Sequence, residues 1–168
     1  MSKAAIDLLI DSWHQQGICL EPPAVQRDIE STFQDCGRPA TEDVLDLYRH
    51  LGGFSRDGYC GNNWSLWSLP KIRAENQFNP SQDVWFADYL VNSYLFSLRA
   101  EDACTSSVHI QSYYKGEFDT FKVADTLTEF LERLLSDPDT VQVFALPGNV
   151  APKQTRLQRL WPWWKPQA

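Results

Sequence analysis

Two pairs of strand-like segments, each joined by a short turn, constrain the fold more than any other feature of the sequence. In the first pair, "VWFADYL" and "YLFSLR" are separated by "VNS", which predicts a hairpin turn near Asn92 and Ser93. In the second, "VHIQSYY" and "FDTFKVA" flank Lys115 and Gly116, which suit a tight turn. Strands joined by hairpins pair antiparallel. The centre of the chain therefore predicts an antiparallel sheet, with a further strand in "WSLWSL" at residues 64–69.

Three helical patterns precede these strands. The first lies between Ser2 and Gly17, the second is opened by Pro22 and Pro23, and the third follows a capping Thr41. The apolar residues that recur at helical spacing are Ile6, Leu9, Ile10, Trp13, Val25, Ile29, Phe33, Val44, Leu45, Tyr48 and Leu51. Each of these helices is predicted to be amphipathic and to bury one face.

A last helix follows the strands, because Thr126 and Glu129 have capping-box spacing before an apolar stripe that continues to Leu135. Strands bracketed by helices, without repeating βαβ units, predict an α+β fold. We expect an antiparallel sheet of about five or six strands packed against N-terminal helices and one C-terminal helix. The predicted organisation is an N-terminal helical extension (1–21), one main domain (22–146) and a Pro/Trp-rich basic tail (147–168).

Charge is divided unevenly along the chain. Residues 151–168 hold four of the 15 basic residues and no acid, so the rest of the chain carries 11 basic and 22 acidic residues, a net charge of −11. Nucleic-acid binding requires Lys and Arg for phosphate contacts, so this class of function is disfavoured. An acidic body suits a basic protein partner, although it also suits simple solubility.

The sequence offers little support for catalysis or for a cofactor. His14, His50 and His109 fall on separate predicted elements without metal-ligand spacing, and no phosphate-binding glycine motif occurs. Cys60 lies in a glycine-containing loop, and we interpret it as a surface thiol, with a thiol-dependent hydrolase or transferase as the enzymatic alternative. We predict no enzyme activity, no metal and no cofactor.

The loop "FSRDGYCGNN" at residues 54–63 is predicted to be the most exposed internal segment. Large aromatic residues follow it in predicted strands, where core packing is favoured over an interface role. They are Trp64, Trp67, Trp85, Phe86 and Tyr89. Those that reach the surface beside the acidic loop would have the chemistry of interface anchors.

The tail places Trp161, Trp163 and Trp164 among basic residues with few aliphatic ones. Self-docking on the acidic body or docking on a partner is favoured over insertion at a membrane interface, and a terminus without a role stays open. Self-docking predicts that deletion of residues 148–168 lowers the melting temperature.

No apolar run approaches the ~20 residues that a membrane span needs, and Asp7 and Asp11 interrupt the N-terminal apolar stretch. Four widely spaced cysteines in a chain of this size favour reduced thiols. We therefore expect a cytoplasmic protein without a membrane span.

The order of several segments resembles the SUKH superfamily, the Smi/Knr-type group that includes a yeast cell-wall assembly regulator, the bacterial Syd protein and many toxin-immunity proteins. The segments are "DVLDLYRHLGGF", "WSLWSLPKIRAEN", "VWFADYL", "YLFSLR" and "FKVADTLTEFLERLLSDP", and they extend the resemblance over about residues 26–137. The chain departs from the pattern in its extra N-terminal helix, in Gly52 and Gly53 where an Asn–Gly pair is common, and in its tail.

The resemblance implies an α+β scaffold without a catalytic set that binds other proteins, and in many bacterial members neutralises the toxic domain of a polymorphic toxin. The expected partner is then another protein, a basic toxin domain, with no nucleic acid involved. The alternative is a scaffold or regulator that binds a cellular protein without neutralising a toxin. The residues expected to contact the partner bracket the exposed loop and the central segment: Asp57, Tyr59, Asn62, Trp64, Glu75 and Asn76.

Overall fold

The computed structural model describes residues 3–55, 58–61, 63–79, 81–114 and 117–137. The side chains at 3, 112–114 and 117–119 are not described. The helices are α1 (Lys3–Gln15), α2 (Gln26–Asp35), α3 (Glu42–His50), α4 (Leu69–Asn76) and α5 (Leu127–Ser136). The strands are β1 (Trp64–Leu66), β2 (Val84–Tyr89), β3 (Tyr94–Ala100), β4 (Ser106–Tyr114) and β5 (Glu117–Ala124).

The five strands form one antiparallel sheet in the order β1-β2-β3-β4-β5. Each strand pairs with its neighbour in sequence, so this part of the fold is a meander with α4 inserted between β1 and β2. The predicted α+β class and both predicted hairpins are confirmed. The turn of the second hairpin, at Lys115 and Gly116, lies outside the described residues.

Helix α5 closes one face of the sheet. Its N-terminus has the predicted capping contact, since the Thr126 hydroxyl oxygen accepts the Glu129 amide at 3.0 Å, while the Glu129 carboxylate accepts the Asp125 amide at 2.8 Å. Phe130 then faces the sheet, where three aromatic rings have centroids 5.3 to 6.2 Å from its own. These rings belong to Trp64, Phe86 and Phe96.

Helix α1 packs into the same core. The Trp13 ring lies 5.0 Å from Phe54 and 5.9 Å from Trp64, measured between ring centroids. A bridge between Leu20 and Phe54 then ties the segment after α1 to the chain beyond α3. The described part of residues 1–21 therefore shares the hydrophobic core of the rest of the chain.

Helix α2 begins later than the sequence suggests. The prolines at 22 and 23 lie before the helix, and Val25 occupies its N-cap position with 64% of its surface exposed. The assignment of Val25 to the buried stripe is therefore wrong, because the apolar spacing continued one turn beyond the real start of the helix. Ile29 and Phe33 are buried as predicted.

The two glycines after α3 allow the chain to pass close to other backbone. At Gly53, with φ +89°, an added Cβ would lie 2.5 Å from the Trp67 carbonyl oxygen. At Gly52 it would lie 2.3 Å from the Pro22 carbonyl oxygen. Neither position can carry a side chain without a backbone shift, so these glycines fix how the 52–54 segment packs.

The second face of the sheet carries polar side chains. Strand register places Ser65, Asp88, Leu95 and Gln111 opposite one another across four strands. All except Leu95 are buried. Helix α4 packs against β2, and its Lys71 reaches the Asp88 carboxylate. The polar site described next is built at this junction.

Candidate functional site

The buried carboxylate of Asp88 is the centre of the site. Asp88 is fully buried near the end of β2, and a single oxygen, Oδ2, collects its contacts. The Tyr59 hydroxyl donates to this oxygen at 2.9 Å, and the Asn92 amide donates to it at 3.2 Å. The Lys71 ammonium lies 4.0 Å from it. Asp88 thus joins the 58–61 loop, helix α4 and the β2–β3 turn.

Two polar atoms of this cluster lack a hydrogen bond within the described structure: the Asp88 Oδ1 and the Trp67 indole nitrogen. Burial raises the pKa of the Asp88 carboxyl, while Tyr59, Lys71, the Trp67 indole and the Asn92 amide oppose the rise. The indole is thus near enough to favour the carboxylate, although the two groups do not meet in bonding geometry. Lys71 also lies over the Trp67 ring, 4.9 Å from its centroid. The carboxylate is incompletely paired.

The turn that Asp88 holds has an unusual backbone. Leu90, Val91 and Asn92 have φ values of 53°, 53° and 63°, all in the left-handed region. Non-glycine residues rarely adopt this region, and a β-branched valine there is an outlier. Besides the Asn92 contact with Asp88, the Leu90 amide donates to the Asn63 carbonyl at 3.0 Å. The turn is thus held at one end by the buried Asp88 side chain and at the other end by the Asn63 backbone.

The strained turn exposes apolar side chains. Val91 is 71% exposed and Leu90 is 41% exposed. Asn63 and Asn92 are exposed beside them, and Tyr59 is half-buried. We call these five residues the loop–turn surface. It combines an apolar tip with amide groups and a phenol, which is a composition suited to protein contact.

A groove of about 610 Å³ adjoins the loop–turn surface and shares Tyr59 with it. It lies between the end of α1 and the chain before β1, and its other lining residues are Gln16, Gly17, Ile18, Cys19, Glu21, Ser55 and Gly58. Glu21 is its only charged lining residue among those described. The described lining of the groove therefore carries one negative charge.

Tyr59 is the residue of the predicted contact set that the structure places at this site. Asp57 and Asn62 lie outside the described residues, as do Trp161, Trp163 and Trp164 of the tail. The loop is less exposed than predicted, because Phe54 and Cys60 are buried. Its apolar residues complete the core against α1.

Trp64 is a core residue and not an exposed partner contact. Only 1% of its surface is accessible, and its ring stacks on Trp13 and meets Phe54 edge to face. The predicted contact role of Trp64 is therefore wrong, because α1 covers a strand that sequence alone places beside an open loop. Trp67 is buried as well, so the preference for core packing is confirmed there. Trp85, Phe86 and Tyr89 are also buried.

The Asn76 side chain joins helix α4 to strand β2 by hydrogen bonds. Its side-chain amide donates to the Ile72 and Trp85 carbonyls, and its oxygen accepts the Trp85 amide at 2.9 Å and the Asn79 side-chain amide at 2.8 Å. These bonds fasten the end of α4 to β2. Glu75, the preceding residue, is half-buried on the same helix, and the predicted contact role of Glu75 stays a prediction.

Cys60 is not a surface thiol. It is 8% exposed, and its thiol donates to the Trp64 carbonyl at 3.1 Å. A nucleophile needs both access and an available thiolate, and this contact holds the thiol proton. The interpretation of Cys60 as a surface group is therefore wrong, and the enzymatic alternative built on an accessible Cys60 loses its basis.

A serine–histidine–glutamate group, formed by two residues of β4 and one that follows β3, resembles catalytic chemistry only in composition. Ser107 donates its hydroxyl to Glu101, and His109 Nε2 lies 3.0 Å from the same hydroxyl oxygen. Burial and the nearby Arg99 lower the pKa of His109. A catalytic triad places the histidine between the serine and the acid. Here the serine is in the middle and its proton points to the acid, so His109 is not placed to take it.

Among the described residues, no three His, Cys, Asp or Glu side chains come together as a potential metal site. In the same part of the chain, the helices fall short of the length and apolar character needed to cross a membrane. No protein-family model matches the sequence, and no curated protein matches it.

Sequence reasoning missed Asp88, Leu90 and Val91. Asp88 had a readable signal, because it interrupts the apolar run "VWFADYL" and a charge inside a buried strand needs partners. The turn was located, and Asn92 suits a left-handed backbone, but nothing in the sequence marks such a backbone at Leu90 and Val91. Leu90 was assigned to the strand, although its main chain leaves the sheet at Tyr89.

Proposed function

We propose that this chain is a non-enzymatic protein-binding module of the SUKH type that neutralises a basic toxin domain by binding and covering it in the cytoplasm. The observation that carries the proposal is that, among the residues that the structure describes, several acidic groups have no ion pair while most basic groups are neutralised locally. A protein of this kind attracts a basic partner over a distance and competes with that partner's anionic substrate.

Most of the basic side chains that the structure describes are held by nearby acids. Ion pairs with neighbouring carboxylates involve Arg49, Lys71, Arg73, Arg99, Lys122 and Arg133. Several carboxylates have no such ion pair in the described structure, and they are Asp7, Asp11, Glu21, Asp28, Glu75 and Glu132. These carboxylates of the described part of the chain are therefore available to attract a basic partner.

The unpaired acids extend to the groove beside the loop–turn surface. Asp7 and Asp11 lie on α1, and Glu21 lines the groove itself. The Gly61 amide donates to the side-chain oxygen of Gln16, the residue that follows α1, and this contact joins the end of the helix to the loop. A basic partner drawn to α1 and the groove would meet the loop–turn surface at the same time.

Free thiols support the proposed location. All four cysteines are free, and Cys19 and Cys104 are exposed. Exposed thiols persist in a reducing compartment. An immunity protein that meets its toxin inside the producing cell would work there.

Co-expression tests the neutralisation directly. The chain is expressed in bacteria together with the C-terminal toxic domain encoded immediately upstream of its own gene, and survival is compared with expression of the toxic domain alone. Restored growth together with co-purification as a complex is expected. Continued killing in the presence of folded chain would refute neutralisation of that toxin, and capture of a non-toxic partner instead would favour the scaffold alternative.

Electrostatic steering gives a second test on the complex. The triple variant Asp7→Asn, Asp11→Asn, Glu21→Gln should slow association about tenfold at low salt, because it removes negative charge from α1 and from the groove. A matched variant, Asp46→Asn, Asp125→Asn, Glu129→Gln, removes the same charge from ion-paired positions. Equal association rates for the two triple variants, measured by stopped flow, would place the encounter surface elsewhere.

A further inference from the structure

Val91 and Leu90 present apolar surface on a backbone that carries a conformational cost. Residues held at φ near +53° without glycine cost about 1–3 kcal/mol each and persist only where the surroundings enforce them. Such strain is concentrated at sites that bind or switch. A glycine at position 91 would remove the cost, but it would also remove the side chain that the turn exposes.

The surroundings that enforce this turn are partly buried and polar. The Asp88 carboxylate accepts the Asn92 amide, and the Asn63 carbonyl accepts the Leu90 amide. Asn63 itself has φ 60°, so the loop that fastens the turn is left-handed too. The Tyr59 hydroxyl binds the same Asp88 oxygen as Asn92 does. One buried carboxylate thereby fixes the exposed turn relative to the groove.

We propose that Val91, supported by Leu90, is the apolar anchor of the partner contact, and that it inserts into an apolar cleft rimmed by Lys or Arg side chains on a protein partner. This proposal rests on the proposed protein-binding function and names its contact. The apolar tip would be buried in the partner's cleft. Glu21, the charged residue among the described lining of the groove, would attract the Lys or Arg side chains at the rim of that cleft. Preorganisation by Asp88 lowers the entropy lost on binding.

Asn replacement separates anchoring from folding. Asn tolerates the left-handed region better than valine does, so Val91→Asn should fold with an unchanged or higher melting temperature. Val25 provides the matched control, because it is 64% exposed and lies at ordinary φ −77° before α2. Val25→Asn makes the same change of side chain away from the turn.

The probe is a phage-displayed library of random peptides, selected on the intact parent chain. We expect enriched peptides that combine apolar residues with Lys or Arg, that bind Val25→Asn like the parent, and that bind Val91→Asn about tenfold or more weakly. Equal affinity for both folded variants, or enrichment of no such peptide, would overturn the anchor.

This selection and the co-expression rescue fail independently. Rescue without a Val91-dependent peptide would mean that neutralisation uses another surface. A Val91-dependent basic peptide without rescue would keep the anchor and reject the toxin as its partner.

Discussion

The two ends of strand β2 each carry a buried aspartate, but they are paired in different ways. At the start of the strand, both oxygens of Asp83 accept from Arg99, at 2.9 Å each, in a bidentate ion pair. At the other end, Asp88 uses one oxygen for Tyr59 and Asn92 and leaves the second without a hydrogen bond in the described structure. Both oxygens of Asp83 are thus paired, whereas Asp88 is incompletely paired and holds a strained turn.

This difference separates a structural role from a functional one. The guanidinium fork of Arg99 satisfies Asp83 where the chain enters the strand, and β2 and β3 are thereby joined. Asp88 instead contacts a turn that exposes Val91 and a loop that lines the groove. A protein that needed β2 only for packing would gain by a glycine in the turn. The cost of the left-handed backbone is the reason why we propose this end as the working end.

Removal of the two carboxylates should give the largest contrast. Asp88→Ala is expected to lower the free energy of unfolding by about 3 kcal/mol, because it removes the buried carboxylate that the Tyr59 hydroxyl, the Asn92 amide and the Lys71 ammonium all contact. Asp83→Ala should cost about 1 kcal/mol, since the Arg99 side chain is 51% exposed and water can solvate it. Urea denaturation followed by tryptophan fluorescence measures both values.

The ranking of these two variants decides the comparison. A larger loss for Asp83→Ala than for Asp88→Ala would mean that the incomplete cluster contributes little to holding the turn. Unchanged slopes of the denaturation curves are needed as a control, since a changed slope would signal a loss of two-state unfolding.

The fold was predictable because its signals are local. The stripe of α5, the capping pair Thr126 and Glu129, and the two hairpins each lie within one short stretch of sequence, and neighbouring strands then pair in sequence order. The position of Trp64 was not predictable in this way. Its burial depends on Trp13, some fifty residues away. The alternation of apolar and polar residues in a strand does not indicate which helix covers that strand.

The site was only partly predictable for the same reason. Tyr59 was selected because it lies in a polar loop, and it does line the groove. Its partner Asp88 lies 29 residues further along the chain, so their contact exists only after β1 and β2 have paired. The left-handed backbone at residues 90–92 is held by the same Asp88 carboxylate. Contacts between residues so far apart produce no recognisable pattern of spacing in the sequence.

Relief of the strain at Val91 should give the next largest effect. Val91→Gly is expected to raise the free energy of unfolding by about 1 kcal/mol, because glycine adopts positive φ without cost, although it also increases the entropy of the unfolded chain. Val123→Gly, within the extended strand β5, should instead lower it by about 1 kcal/mol. Equal losses in the two variants would show that the turn stores no strain.

The smallest expected effect is the pH dependence that Asp88 adds to stability. Its pKa in the folded protein is raised above the ordinary value of 3.8, mainly by burial, so the folded state binds the proton more tightly than the unfolded state does. The stabilisation from this proton is fully present at low pH and is lost as the pH rises from 3.8 through the raised pKa of the folded state. The parent chain carries this loss and Asp88→Asn does not.

The unfolding free energy of the parent minus that of Asp88→Asn should therefore fall as pH rises through that window and stay level above it. Urea titrations from about pH 4 to pH 8 measure this difference, and the other carboxylates cancel because both proteins contain them. A difference that grows with pH would mean that Tyr59, Lys71 and the Asn92 amide stabilise the ionised form more than burial penalises it. The two ends of β2 would then both be paired in full, and the incomplete cluster would no longer distinguish the working end.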